Sequence, residues 1–203
     1  MTLLDLEKSL KEHSGVFHCA GRGGRGVASK DVHFEHVYDP PKPVSGIPNV
    51  GMLREFYETF GNLTLYLHKE SGDAAFYIGK PNEWDEFLEC LRDWTDFDDQ
   101  PELLPDWLDS CVAIGEIPKS GNYLLVPTTG EKAGHIVEFE HDGFEFIDHA
   151  SNLIDFVIKM LEPDSAALTH MAAHMSFIEG DPWEQWWIKE MRDNKGFVVK
   201  TEV

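Results

Sequence analysis

Residues 112–147 constrain the fold more than any other part of this sequence. Four short β-rich runs, 112–117, 123–126, 135–139 and 144–147, are separated by Ser120-Gly121-Asn122, Thr129-Gly130 and Asp142-Gly143. Such turn residues send the chain straight back beside itself, whereas parallel strands need long crossovers, so the spacing predicts an antiparallel meander. Leu153, Phe156, Val157, Met160 and Leu161 then repeat at helical spacing, with Ser151 expected to cap the helix and Pro163 to close it.

The residues before the meander alternate between the two periods. Leu3, Leu6 and Leu10 predict a short amphipathic helix over 2–13. Residues 16–20 form an apolar run, and Val32, Phe34, His36 and Tyr38 predict a strand ahead of the prolines at 40, 41 and 43. Leu53, Phe56, Tyr57 and Phe60 fall at i, i+3, i+4 and i+7, a helix that Gly61-Asn62 stops. Leu63, Leu65 and Leu67, a turn at Ser71-Gly72-Asp73 and the run 74–78 predict a hairpin. Asn82 is expected to cap a helix in which Trp84, Phe87, Leu88, Leu91 and Trp94 share one face. In the tail, one helix is expected from Ser165 to about Ile178. A second is expected to open at Asp181-Pro182, with Asp181 and Glu184 in capping-box spacing, an apolar stripe that includes Ile188 and Met191, and at least one of Trp183, Trp186 and Trp187 exposed, since the three cannot all face one way.

At 203 residues, with 42% hydrophobic side chains, the chain is expected to form a single domain. Its parts are a helix, a glycine-rich loop and a proline-rich segment over 1–50, a core over 51–161 and a helical extension over 162–203. Against 17 Lys+Arg stand 37 Asp+Glu, a formal net charge of −20. That field repels phosphate backbones and anionic lipid, which argues against nucleic-acid and membrane partners, and it favours encounter with a basic protein. Asp5, Glu7 and Lys8 interrupt the apolar spacing of the first ten residues, unlike a secretory signal, and no apolar stretch is long enough for a membrane helix. Cys19, Cys90 and Cys111 are odd in number and far apart, which fits a reducing, cytoplasmic compartment.

Few motifs point to catalysis. Gly21, Gly23 and Gly26 satisfy GxGxxG, but a dinucleotide site needs a helix immediately afterwards, and this sequence continues toward a strand and prolines. His170 and His174 are spaced i, i+4, as a metal pair would be, without the glutamate of HExxH; His33 and His36 would face opposite sides of a strand. Cys19 beside His18 has the same difficulty. No catalytic residues, cofactor or metal are therefore expected. The stretch DWTDFDDQPELLPDWLD interleaves carboxylates with aromatic rings and is the expected partner-binding surface: Asp93, Trp94, Asp96, Asp98, Asp99, Glu102, Asp106, Trp107 and Asp109.

The region 51–161 resembles the SUKH superfamily, named after a yeast cell-wall-assembly regulator and its homologues. LREFYETFGNLTLYL looks like the helix and first strand of that family. The run from CVAIGEIPKSGNYLLVP to the helix ending at Leu161 looks like its central strands and closing helix, with Gly115, Gly121, Asn122, Tyr123, Gly134, Asp142 and Gly143 at the turns and Leu153, Phe156 and Leu161 packing the helix. The resemblance implies an α+β fold: a curved, mainly antiparallel sheet flanked by helices, to which this chain would add C-terminal helices. It also implies an immunity protein that binds a basic toxin domain, of which nucleases are one class, or a regulatory or scaffolding protein with an endogenous partner.

Overall fold

The computed structural model describes residues 3–21, 28–95, 104–178 and 184–202. In chain order its elements are α1 (Leu3–Glu12), β1 (Gly15–Gly21), β2 (Ser29–Val37), α2 (Leu53–Tyr57), β3 (Leu63–Leu67), β4 (Phe76–Ile78) and α3 (Trp84–Thr95). They are followed by β5 (Cys111–Ile117), β6 (Asn122–Pro127), β7 (Ile136–Glu140), β8 (Glu145–Ala150), α4 (Leu153–Leu161), α5 (Ser165–His174), β9 (Trp186–Asp193) and β10 (Val198–Lys200). The fold is α+β. Its strands form one open antiparallel sheet in the order β10-β9-β1-β2-β3-β4-β5-β6-β7-β8.

The chain clusters into two compact units, with boundaries inside β3, β4 and α4: residues 1–37, 64–76 and 158–203 form the first, and residues 38–63 and 77–157 the second. The second contains the meander. Each pair from β5 to β8 is antiparallel, as the turn residues dictate. Every residue of β6 is buried, and after Asn122 its sequence is a continuous apolar run, whereas β8 at the sheet edge keeps none of its residues fully buried. Gly115 is required where β4 and β5 meet, because a Cβ there would lie 2.0 Å from the Tyr77 carbonyl oxygen. Phe56, Tyr57 and Phe60 close over the core as the helical spacing of 53–60 predicts, although α2 itself is only one turn and a half long.

Two helix caps differ from expectation. Before α3 the chain makes a 3-10 turn, Pro81–Glu83, in which the Lys80 amide donates to Glu83 Oε2 at 2.7 Å, so Asn82 is not the cap. At α4 the cap is Asn152, whose Oδ1 accepts from the Asp155 amide at 2.9 Å, and not Ser151. In both cases the side chain that reaches the free amide lies one position beyond the residue expected to cap.

In the first unit, β1 lies between β2 and β9 and α5 packs on β9 and β10. Asp164 caps α5 by accepting from the Ala167 amide at 2.8 Å. Among the described residues, a strand takes the place of the second tail helix. Asp181 and Trp183 lie outside the described residues, Glu184 precedes the strand, and residues 186–193 are β9, with Ile188 and Met191 buried and Trp187 exposed. Pairing with β1 supplies backbone partners and burial that override a helical apolar spacing. Of the glycine-rich loop only Gly21 is described; β2, a strand, follows it.

Candidate partner-binding surface

Of the nine residues expected at a binding surface, Asp93, Trp94, Asp106, Trp107 and Asp109 are described, and Asp96, Asp98, Asp99 and Glu102 lie outside the described residues. Asp93 and Trp94 end α3. Trp84, Phe87 and Leu91 bury their side chains, but Trp94, expected on the same face, is 42% exposed. It falls at the margin of the apolar stripe in the last turn, where its ring leans on His141 with centroids 4.7 Å apart. Trp107 lies just before the 3-10 turn Leu108–Ser110 and meets Phe146 edge-on at 5.6 Å. Asp93, Asp106 and Asp109 are all exposed.

Both tryptophans thus rest on one hairpin, β7–β8: Trp94 on its turn and Trp107 on Phe146, which pairs in register with Phe139. The two described ends of the acidic stretch therefore both pack on this hairpin.

The hairpin is fixed from beneath by polar residues that residue type and spacing did not single out for a site. His141 binds Asn122 Oδ1 through both its amide and its Nδ1, at 3.2 and 3.0 Å. Asn122 Nδ2 donates to Glu138 Oε1 at 2.7 Å, and Glu138 Oε2 lies 2.7 Å from His149 Nε2. Glu138 and Asn122 are 0% exposed, so this network lies in the core of the second unit. The one legible signal was Glu138 itself, a carboxylate inside the apolar run IVEFE. In the turn, Glu140 accepts from the amides of Asp142 and Gly143 at 3.1 and 2.5 Å. Ligand atoms of Glu140, His141 and Asp142 lie within 4.8 Å of one another, but the glutamate oxygens already serve the turn.

Other chemistry-bearing groups are placed as follows. His170 and His174 share a face of α5, with ring centroids 5.2 Å apart and both half-buried. His33 is exposed and His36 points inward, on opposite faces as a strand requires. Cys19 is buried and its thiol is pushed up to about 12 by that burial, the reverse of a reactive thiolate, while His18 turns outward to Asp31 at 2.8 Å. All three cysteines are free thiols. A cleft of about 480 Å³ lies between α2 and the proline-rich loop, edged by Lys42, Arg54 and Glu58, charges of both signs. Among the described residues, no helix is long and apolar enough to cross a membrane.

Comparison of the chain with protein-family profiles, with curated proteins and with solved structures finds no match in any of the three.

Proposed function

We propose that this chain is a non-catalytic binding module that captures a basic protein. In its specific form it is an immunity protein of the SUKH type, covering the basic substrate face of a cognate toxin domain such as a nuclease. The observation that carries this reading is Trp94, an exposed ring packed on the β7–β8 hairpin beside Asp93, in a chain whose formal net charge is −20. Tryptophan is enriched among interface anchors, and a ring already packed against a neighbour loses less entropy on binding than a free one. The carboxylates supply long-range steering that salt weakens.

The test is calorimetric titration of the full chain against the protein encoded beside it, at low and at high salt, together with assay of that protein's activity. A stoichiometric, salt-sensitive complex that abolishes the activity is expected. A complex that leaves the activity intact favours the regulatory or scaffolding form, and no heat at low salt overturns both. The spacing of His170 and His174 favours a second reading, a metal-dependent protein. It predicts stoichiometric metal after purification, lost when both histidines are replaced.

A further inference from the structure

The pairing of β2 with β3 shifts register between Glu35 and Val37, and across from this shift Tyr66 takes φ +58°, a conformation that a bulky residue adopts only under constraint. The Tyr66 amide donates to a side chain, His36 Nδ1, at 3.2 Å. His36 Nε2 lies 2.7 Å from His13 Nδ1, and the rings stack within 10° of parallel. His13 Nε2 faces Asp193 Oδ2 at 3.3 Å, in a pair whose side chains are 1% and 0% exposed. His13 is the joint between α1 and β1, and the turn after β9 holds that joint: Asn194 Nδ2 donates to the Glu12 carbonyl at 2.7 Å and the Asn194 amide to the Ser14 carbonyl at 2.8 Å.

The amide dictates where every proton sits. A peptide N–H only donates, so His36 Nδ1 is bare and its proton is on Nε2. That proton points at His13 Nδ1, which must also be bare, so the His13 proton is on Nε2 and faces Asp193. A second proton has no place on either ring. On His36 Nδ1 it would meet the Tyr66 N–H, and on His13 Nδ1 it would meet the His36 N–H across 2.7 Å. Asp193 attracts positive charge to His13 but does so at the nitrogen already protonated.

We propose that the Tyr66 amide, His36, His13 and Asp193 form a proton-ordered latch, which holds α1 and the turn after β9 in place only while both imidazoles are neutral, and opens when a second proton enters either ring.

The surroundings act in the same direction. Burial pushes His36 down to about 3, with His13 adding to the effect, and burial likewise holds His13 below the usual imidazole range. The charged and titratable groups that face the pair are Asp193, Lys195 after β9, Glu162 after α4 and Tyr66 from β3. Asp193 and Glu162 favour a charged His13, Lys195 opposes it, and burial outweighs them all. In the unfolded chain both rings titrate near the ordinary value of about 6.5. Below that pH the unfolded chain therefore binds more protons than the folded one. Stability is fully present above about 6.5 and is lost as the pH falls toward the folded values, by about tenfold in the folding equilibrium per pH unit for each ring.

Hydrogen exchange of the full chain between pH 7.5 and 5.5, above the range of most carboxylates and corrected for intrinsic rates, tests the latch. Protection of residues 3–12 is expected to be flat above about 6.5 and to fall below it by about tenfold per pH unit for one ring, and about a hundredfold for two. His36→Gln can still accept from Tyr66 and donate to His13 but cannot titrate, so its fall should be about tenfold smaller per pH unit. An equal fall in both proteins overturns the proposal. Should the variant not fold, nitrogen NMR of the wild-type rings decides: both Nδ1 atoms bare and silent through pH 6.5 is expected, and either ring titrating there in the folded protein overturns it.

Discussion

In the second unit the Glu138 carboxylate takes 2.7 Å contacts from Asn122 and His149, whereas in the first unit Asp193 and His13 stand 3.3 Å apart without hydrogen-bond geometry between them. Each centre buries a carboxylate beside a histidine, yet they behave as different materials. The first unit spends the other oxygen of Asp193 on the turn, where it accepts from the Lys195 and Phe197 amides at 2.9 and 2.7 Å, and leaves its histidines to a linear relay ending on a backbone amide. The second unit closes its network from several sides and ties it to the surface through His141. A closed network resists removal of any member, while a relay responds to a single added proton.

Glu138→Leu should show the largest effect: it removes the acceptor of Asn122 Nδ2 and the 2.7 Å partner of His149 Nε2, and is expected to cost about 3–5 kcal/mol in urea unfolding. A loss under about 1 kcal/mol would remove the distinction between the two centres. Gly115→Ala and Gly15→Ala probe strand contact in each unit separately, since the new methyl would lie 2.0 Å from the Tyr77 oxygen or 2.2 Å from the Arg192 oxygen. About 2–3 kcal/mol is expected for each, with hydrogen exchange placing the damage at β4–β5 in one variant and β1–β9 in the other. Tyr57→Phe removes a hydroxyl that donates to the Gly79 carbonyl at 2.8 Å and accepts from Trp84 Nε1 at 3.3 Å, for about 1–1.5 kcal/mol. Trp94→Ala sits at the small end for stability, within about 0.5 kcal/mol, but should weaken capture of the adjacent-encoded basic protein by at least about tenfold. Unchanged affinity would detach Trp94 from the binding surface.

Local periodicity made much of the second unit readable. The β5–β8 meander, α2 and the start of α4 follow from alternation, helical spacing and turn residues that act over a few positions, and in the first unit α5 does so too. The tail was misread because Trp186, Trp187, Ile188 and Met191 suit either period, and what selects a strand is β1, a partner far away in sequence. The candidate surface was legible by composition at Trp94 and Trp107, but not the hairpin that carries them. Asn122 read as a turn residue, but it opens β6 and its side chain bridges Glu138 and His141. The latch was invisible for the same reason: His13, His36, Tyr66 and Asp193 come from four separate places, and none belongs to a motif.

The sandwiching of β1 between β2 and β9 has a consequence for how the chain is made. Ser14 and Asn194 are hydrogen-bonded neighbours 180 residues apart. At a ribosomal rate of about 5–20 residues per second, one edge of β1 therefore stays open for roughly 10–40 s after its synthesis. A bare strand edge invites pairing with other chains. Nascent copies of this protein should accordingly be most prone to misassociation in that interval, and truncations that remove β9 should aggregate during translation.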